Sequence, residues 1–159
     1  MAEFDHEMAV TRQLLARVPE AAFDWKPHEK SMSLGGLATH LCQIPHWGNA
    51  ILLRDGYDLV ADGTGHAAEK RTVADVLHTF DAHTSEIRQS LSERTDAELA
   101  QPWSLTRGGQ LVFSVPKAGA LRRFLFNHLI HHRGQLSVYL RMQNVPLPPI
   151  YGPTADASV

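Results

Sequence analysis

The stretch NHLIHHRGQL, residues 127–136, sets three histidines inside a run whose apolar spacing is helical. A helix that turns imidazoles toward a core must find partners for them, because a buried polar group without one is costly. Positions three and four apart share a helix face. Over a last helix expected from about 117 to 143, that rule selects Leu121, Leu125, His128, His132, Leu136 and Tyr139. His128 and His132 therefore fall in the middle of the inward stripe. His131 lies about 100° round the helix from His132 and is expected at the surface.

An earlier segment repeats the pattern. Leu37, His40, Ile44, Trp47 and Ile51 follow the same spacing, which turns His40 inward and leaves His46 on another face. Cys42, two residues beyond His40, points roughly opposite and makes a poor co-ligand. Taken singly, each histidine reads as a buried neutral group satisfied by one hydrogen bond. Taken together, an i,i+4 pair is a standard helical grip on a metal ion. His40 completes a three-nitrogen face if the second and last helices are neighbours. Three protein ligands leave coordination positions open, as catalytic sites do. Imidazole suits zinc, nickel, copper or iron, so the donors do not choose the metal. Spacing alone leaves both readings standing. His83 is expected as a satisfied core or boundary histidine, with a fourth ligand as the lesser reading. His6, His28, His66 and His78 read as solvent residues.

The rest of the chain frames these segments. Periodicity predicts helices over about 3–18, 34–54 and 73–93, with Ser33 and Thr72 as N-caps of the second and third. Pro45 is expected to kink or split the second helix. TDAELAQPW reads as one short turn, and WSLTRGGQLVFSVP as two short strands around Gly108-Gly109. That hairpin, isolated from other strands, is expected as an insertion on the helices. The tail PLPPIYGPTADASV is too rich in proline for helix and is expected to lie extended. The fold class expected is all-α, a four-helix bundle in a single domain over residues 1–159.

Formal charge of −2 gives no electrostatic footprint for nucleic acid, and no apolar run is long enough to span a membrane. The opening residues MAEFDHEMAV carry acids where a secretory signal carries bases. Cys42 is the only cysteine, so no intramolecular disulfide forms. A cytoplasmic location is the expectation.

Three segments in order, FDWKPHEKSMSLGGLATHL, NHLIHHRGQLSVYLR and VPLPPIYGPTAD, resemble the DinB family, also called the DinB/YfiT-like metalloenzymes. The resemblance spans nearly the whole chain. It implies a bundle of up-down-down-up topology, a homodimer, and a divalent metal held by three histidines. The matching positions are His40 in LATHL and the pair His128 and His132. A divalent transition metal is expected, zinc or nickel ahead of iron or copper. Several relatives look like thiol transferases or isomerases that use bacillithiol, mycothiol or glutathione. The resemblance thus implies a small-molecule S-transferase or isomerase working through a metal-held thiolate, with a low-molecular-weight thiol as cosubstrate. The family name refers to induction by DNA damage and implies no DNA binding.

The segment H-L-I-H-H lacks the glutamate of H-E-x-x-H, which disfavours peptidase chemistry. One rival reading is a non-enzymatic metal or small-ligand binder acting in stress response. Another is metal-assisted hydrolysis, which needs a general base that the sequence does not offer. A carboxylate near the metal would favour hydrolysis, and an open, partly apolar pocket would favour thiol transfer. Gln135, on the face of His128, either orients a ligand imidazole or bonds to solvent. Trp47 either walls a pocket or is plain core. Arg133 points away from the pair, toward a salt bridge or a subunit contact. Trp25, Lys26 and Tyr151 are assigned to packing of the loop and tail.

Overall fold

Helical periodicity accounts for most of the chain. A computed structural model describes residues 1–63 and 68–158. Its helices are α1 Ala2–Leu15, α2 Leu34–Leu53, α3 Val73–Ser92, α4 Asp96–Leu99, α5 Lys117–Leu121 and α6 His128–Met142. A π-helical segment, Arg122–Asn127, joins α5 to α6 without a break. The starts are where capping chemistry puts them. The Ser33 side chain accepts from Gly36 N at 2.9 Å, and that of Thr72 from Asp75 N at 3.1 Å. α4 is the short turn expected at TDAEL, closed by a capping box between Thr95 and Glu98. α2 packs on α3 and α6, and α1 packs on the other side of the same two helices.

Pro45 neither splits nor interrupts α2, which runs unbroken from Leu34 to Leu53. The proline removes one backbone hydrogen bond. Ile44, Gly48 and Ile51, all buried around it, hold the helix by tertiary packing. At Gly48 an added Cβ would stand 2.1 Å from the end of the Ile87 side chain, so a larger residue there would require the buried Ile87 of α3 to shift.

The chain is mostly helical and carries a small sheet, which corrects the all-α expectation. β2 (Pro102–Arg107) and β3 (Gln110–Pro116) form the expected hairpin. Its turn residues Gly108 and Gly109 have φ of 57° and 79°, the left-handed pair that a two-residue hairpin of this kind requires. The hairpin is not isolated. β1 (Gly56–Asp58), in the expected loop after α2, pairs parallel with β2. Asp58 secures this edge. Its carboxylate accepts from the backbone N–H of Val60 and Ala61 in its own loop. It also accepts from Gly108 and Gly109 in the turn and from the Thr106 hydroxyl. These bonds, the one from Gly109 foremost, hold the carboxyl far below the ordinary carboxylate range. The edge strand is thus fixed by a charge that remains ionised.

The last helix corrects the expected stripe. The buried series is Leu121, Leu125, Leu129, Arg133, Leu136 and Leu140. Three successive steps of four outrun a 3.6-residue period, and the wider π turn between Leu121 and His128 absorbs the excess. His128, His132 and Tyr139 consequently stand half-buried at the edge of the core.

Arg133 forms a salt bridge, as its direction implied, but a buried one. Its guanidinium lies 2.6 Å from the Glu7 carboxylate, with Arg133 1% and Glu7 5% exposed. It also donates to Glu7 O and to the Thr11 hydroxyl. Tyr151, in the extended tail, accepts from Arg133 at 2.6 Å and donates to Glu7 at 3.0 Å. The tail is further tied by the ion pair of Arg141 with Asp156. Trp25 meets Tyr139 edge-on at 5.5 Å, so the loop segment also serves packing.

Removing one member of a buried ion pair strands the other's charge. Glu7→Ala is expected to lower the unfolding free energy by about 3–5 kcal/mol in urea denaturation. Arg88→Ala, which breaks an exposed pair with Asp5, is expected to cost less than about 1 kcal/mol. Equal effects of the two substitutions would contradict this assignment.

Candidate metal centre

His40 stands on α2, and His128 and His132 stand one helical turn apart at the start of α6. The packing of α2 on α6 brings the three imidazoles together. A ring nitrogen from each lies within 4.8 Å of the other two, and all three residues are half-buried. Ring centroids are 4.9 Å apart for His40–His128, 4.4 Å for His40–His132 and 4.7 Å for His128–His132. Nε2 of His40 and Nε2 of His128 are 3.0 Å apart.

An outer nitrogen fixes the tautomer of His132. His132 Nδ1 donates to Gln135 Oε1 at 2.7 Å, which leaves the lone pair on Nε2. Gln135 thus meets a cluster imidazole directly. His128 is hydrogen-bonded to the backbone carbonyl of Phe124 in the π segment. Its Nε2 faces the Nε2 of His40 across the 3.0 Å gap. A donor set of three converging imidazoles, with the outer nitrogen of His132 held by a hydrogen bond, fits a transition metal that binds nitrogen. Burial is the main influence on both α6 imidazoles and pushes their pKa values below the usual histidine range. They are therefore neutral, the form that ligates, near pH 7.

The other candidates lie elsewhere. His131 is exposed, as expected, with its ring 4.8 Å from that of His132. Cys42 is fully buried, its Sγ donating to Thr39 O, and burial pushes its thiol up to about 11. Neither its direction nor its protonation suits a ligand or nucleophile. His83 is half-buried and its Nδ1 donates to Cys42 O at 3.0 Å, while its ring faces His46. It is a satisfied boundary residue outside the triad. His6, His28 and His78 are exposed, and His66 lies outside the described residues.

Beside the triad lies a cavity of about 240 Å³, for which His40 and His128 form one wall. α2 adds Trp47, Ala50 and Ile51. The sheet side adds Tyr57, Leu59, Trp103 and Leu105, and the π segment adds Phe124. Trp47 therefore walls a pocket. The sheet and π residues were missed in the sequence, although the alternation of Trp103 and Leu105 signalled an apolar strand face.

A family model described as the DinB family matches residues 1–158. The chain belongs to the DinB family. Among solved structures, a DinB-like protein from Bacillus subtilis, YjoA, is similar with a TM-score of 0.74 at 22% identity, over 94% of this chain and 95% of that one. A DinB-like protein from Bacillus cereus gives a TM-score of 0.70 at 18% identity, over 94% of each chain. Likeness at such identities establishes the fold. The uncharacterized protein YrdA of Bacillus subtilis is 45% identical over 38 residues, a stretch covering 24% of this chain and 23% of that protein. No helix among the described residues of this DinB family member is long and apolar enough to cross a membrane.

The lowered imidazole pKa values have a consequence for stability. Unfolded histidine takes up its proton near pH ~6.5, while folded His128 and His132 resist it to lower pH. The unfolded state then binds more protons, so stability of the EDTA-treated chain falls as pH drops below about 6.5. Urea denaturation between about pH 7.5 and 5.5 is expected to show a larger loss for the wild type than for the His128→Gln/His132→Gln double variant. Parallel pH curves would contradict the assignment.

Proposed function

We propose that this DinB family member is a metal-dependent enzyme that transfers a low-molecular-weight thiol to a small electrophile, or isomerises a substrate with that thiol's help. The observation that carries the reading is that His40 and His128 belong both to the triad and to the wall of an apolar cavity. His40, His128 and His132 would hold a divalent transition metal. Such an ion supplies positive charge that keeps a thiol cosubstrate as thiolate at neutral pH. The chain's own part is binding and orientation. Gln135 and the Phe124 carbonyl fix the two α6 rings, and the cavity walls hold the electrophile and exclude water. Buried, protonated Cys42 is no nucleophile, so the thiol comes from solution.

The donor set bears on the hydrolytic alternative. Among the described residues, no Asp or Glu joins the triad or lines the cavity. A general base for activating water is therefore lacking at the place where hydrolysis would need it. The same reading takes α1, α2, α3 and the last helix as an up-down-down-up four-helix bundle in one domain, associating as a cytoplasmic homodimer.

Metal analysis of the purified protein against His128→Ala tests the core of the proposal. About one metal ion per wild-type chain is expected, with loss of most of it in the variant. Equal metal in both would overturn the site. Metal-dependent turnover of chlorodinitrobenzene or monochlorobimane with one of a panel of thiols is expected next. Metal without turnover would favour a non-enzymatic binder.

A further inference from the structure

The cavity beside the triad has a chemistry of its own. Its volume of about 240 Å³ exceeds the ~150 Å³ that suffices for a benzene molecule in an apolar protein cavity. A ring with a substituent, or two fused rings, fits. Its walls are built from aromatic pairs. The Trp47 and Tyr57 rings lie 4.8 Å apart, and those of Trp103 and Phe124 5.7 Å apart. Ile51, Leu59 and Leu105 fill the remaining surface.

Among the described residues, no Asp, Glu, Lys or Arg lines this space. The nearby Arg54 sits over the Tyr57 ring at 5.5 Å and is already paired with Asp62. The Tyr57 hydroxyl is directed to the carbonyls of Asp62 and Gly63, at 3.0 and 3.1 Å. Burial raises its pKa, so the phenol stays neutral. A charged guest would shed water and find no counter-charge. An apolar ring would shed water and gain contact on several sides. The tyrosine wall is held in place by its neighbour Asp58, which bonds the hairpin turn.

We propose that this cavity binds a neutral, ring-bearing small molecule, with Trp47, Tyr57 and Phe124 as the residues that select it. Its polar contact is made at the His40/His128 end. The inference deepens the functional reading above, and rests on it only in taking the bound molecule as the enzyme's substrate.

The test is isothermal titration of the full chain with 1-naphthol and 1-naphthylmethylammonium. It is repeated after EDTA treatment with 1-naphthoate added to the series, so that a metal cannot recruit the carboxylate. 1-Naphthol is expected to bind in both states, and each charged probe at least ~10-fold more weakly. Failure of 1-naphthol to bind, or a charged probe closer than ~10-fold to it, would overturn the inference. Ala50→Trp and Leu59→Trp each fill the space from opposite walls. A variant that keeps a cooperative melting transition is expected to lose 1-naphthol binding, and wild-type binding in such a variant would also overturn it. If neither variant folds, the probe series on the unaltered chain decides. Metal content is measured on the same samples, so a chain that binds 1-naphthol but no metal sinks the catalytic reading and leaves this one standing.

Discussion

Two imidazole nitrogens 3.0 Å apart, Nε2 of His40 and Nε2 of His128, cannot both present bare lone pairs to each other. Something positive must lie between them, either a proton or a metal ion. This constraint joins α2 to the last helix at a half-buried point, and the surrounding hydrogen bonds serve it. Gln135 takes the outer proton of His132, and the Phe124 carbonyl bonds the His128 ring. With those positions used, the inner nitrogens are left to converge. A cation that replaces the shared proton would satisfy all three rings at once.

The π segment is the device that permits this arrangement. It lets the buried series step from Leu121 to Leu125, Leu129 and Arg133 while the histidines stay at the core's margin. At the margin they face both α2 and the cavity. The same segment turns Phe124 into that cavity, where its ring lies 5.7 Å from that of Trp103 of the sheet. The small sheet therefore serves as a wall, and Asp58 pins its edge strand to the hairpin turn.

Much of this was legible in the residues. Ser33 and Thr72 announced two helix starts, and Gly108-Gly109 announced the hairpin, because caps and tight turns are decided by local chemistry. Spacing also selected His40, His128 and His132 as the histidines to come together, and the structure brings those three together. What spacing could not show were features decided by tertiary contact. A π turn has no sequence mark of its own, so the inward stripe was right at Leu121, Leu125 and Leu136 and one residue off at 128, 132 and 139, where Leu129, Arg133 and Leu140 are buried instead. β1 is three residues long and its partner lies more than forty residues away, which leaves no periodic signal. Arg133 finds Glu7 across 126 positions of chain, and only the folded core explains why a charge is buried there. Pro45 was read by its local cost, whereas packing around Gly48 and Ile51 decides the outcome.

The central claim is that His40, His128 and His132 together ligate one metal ion. Zinc K-edge X-ray absorption on the zinc-loaded protein tests it directly. The account predicts a shell of three imidazole nitrogens at about 2.0–2.1 Å, completed by a light-atom ligand from solvent and free of sulfur. A sulfur shell near about 2.3 Å, or fewer than three imidazoles around the ion, would contradict it.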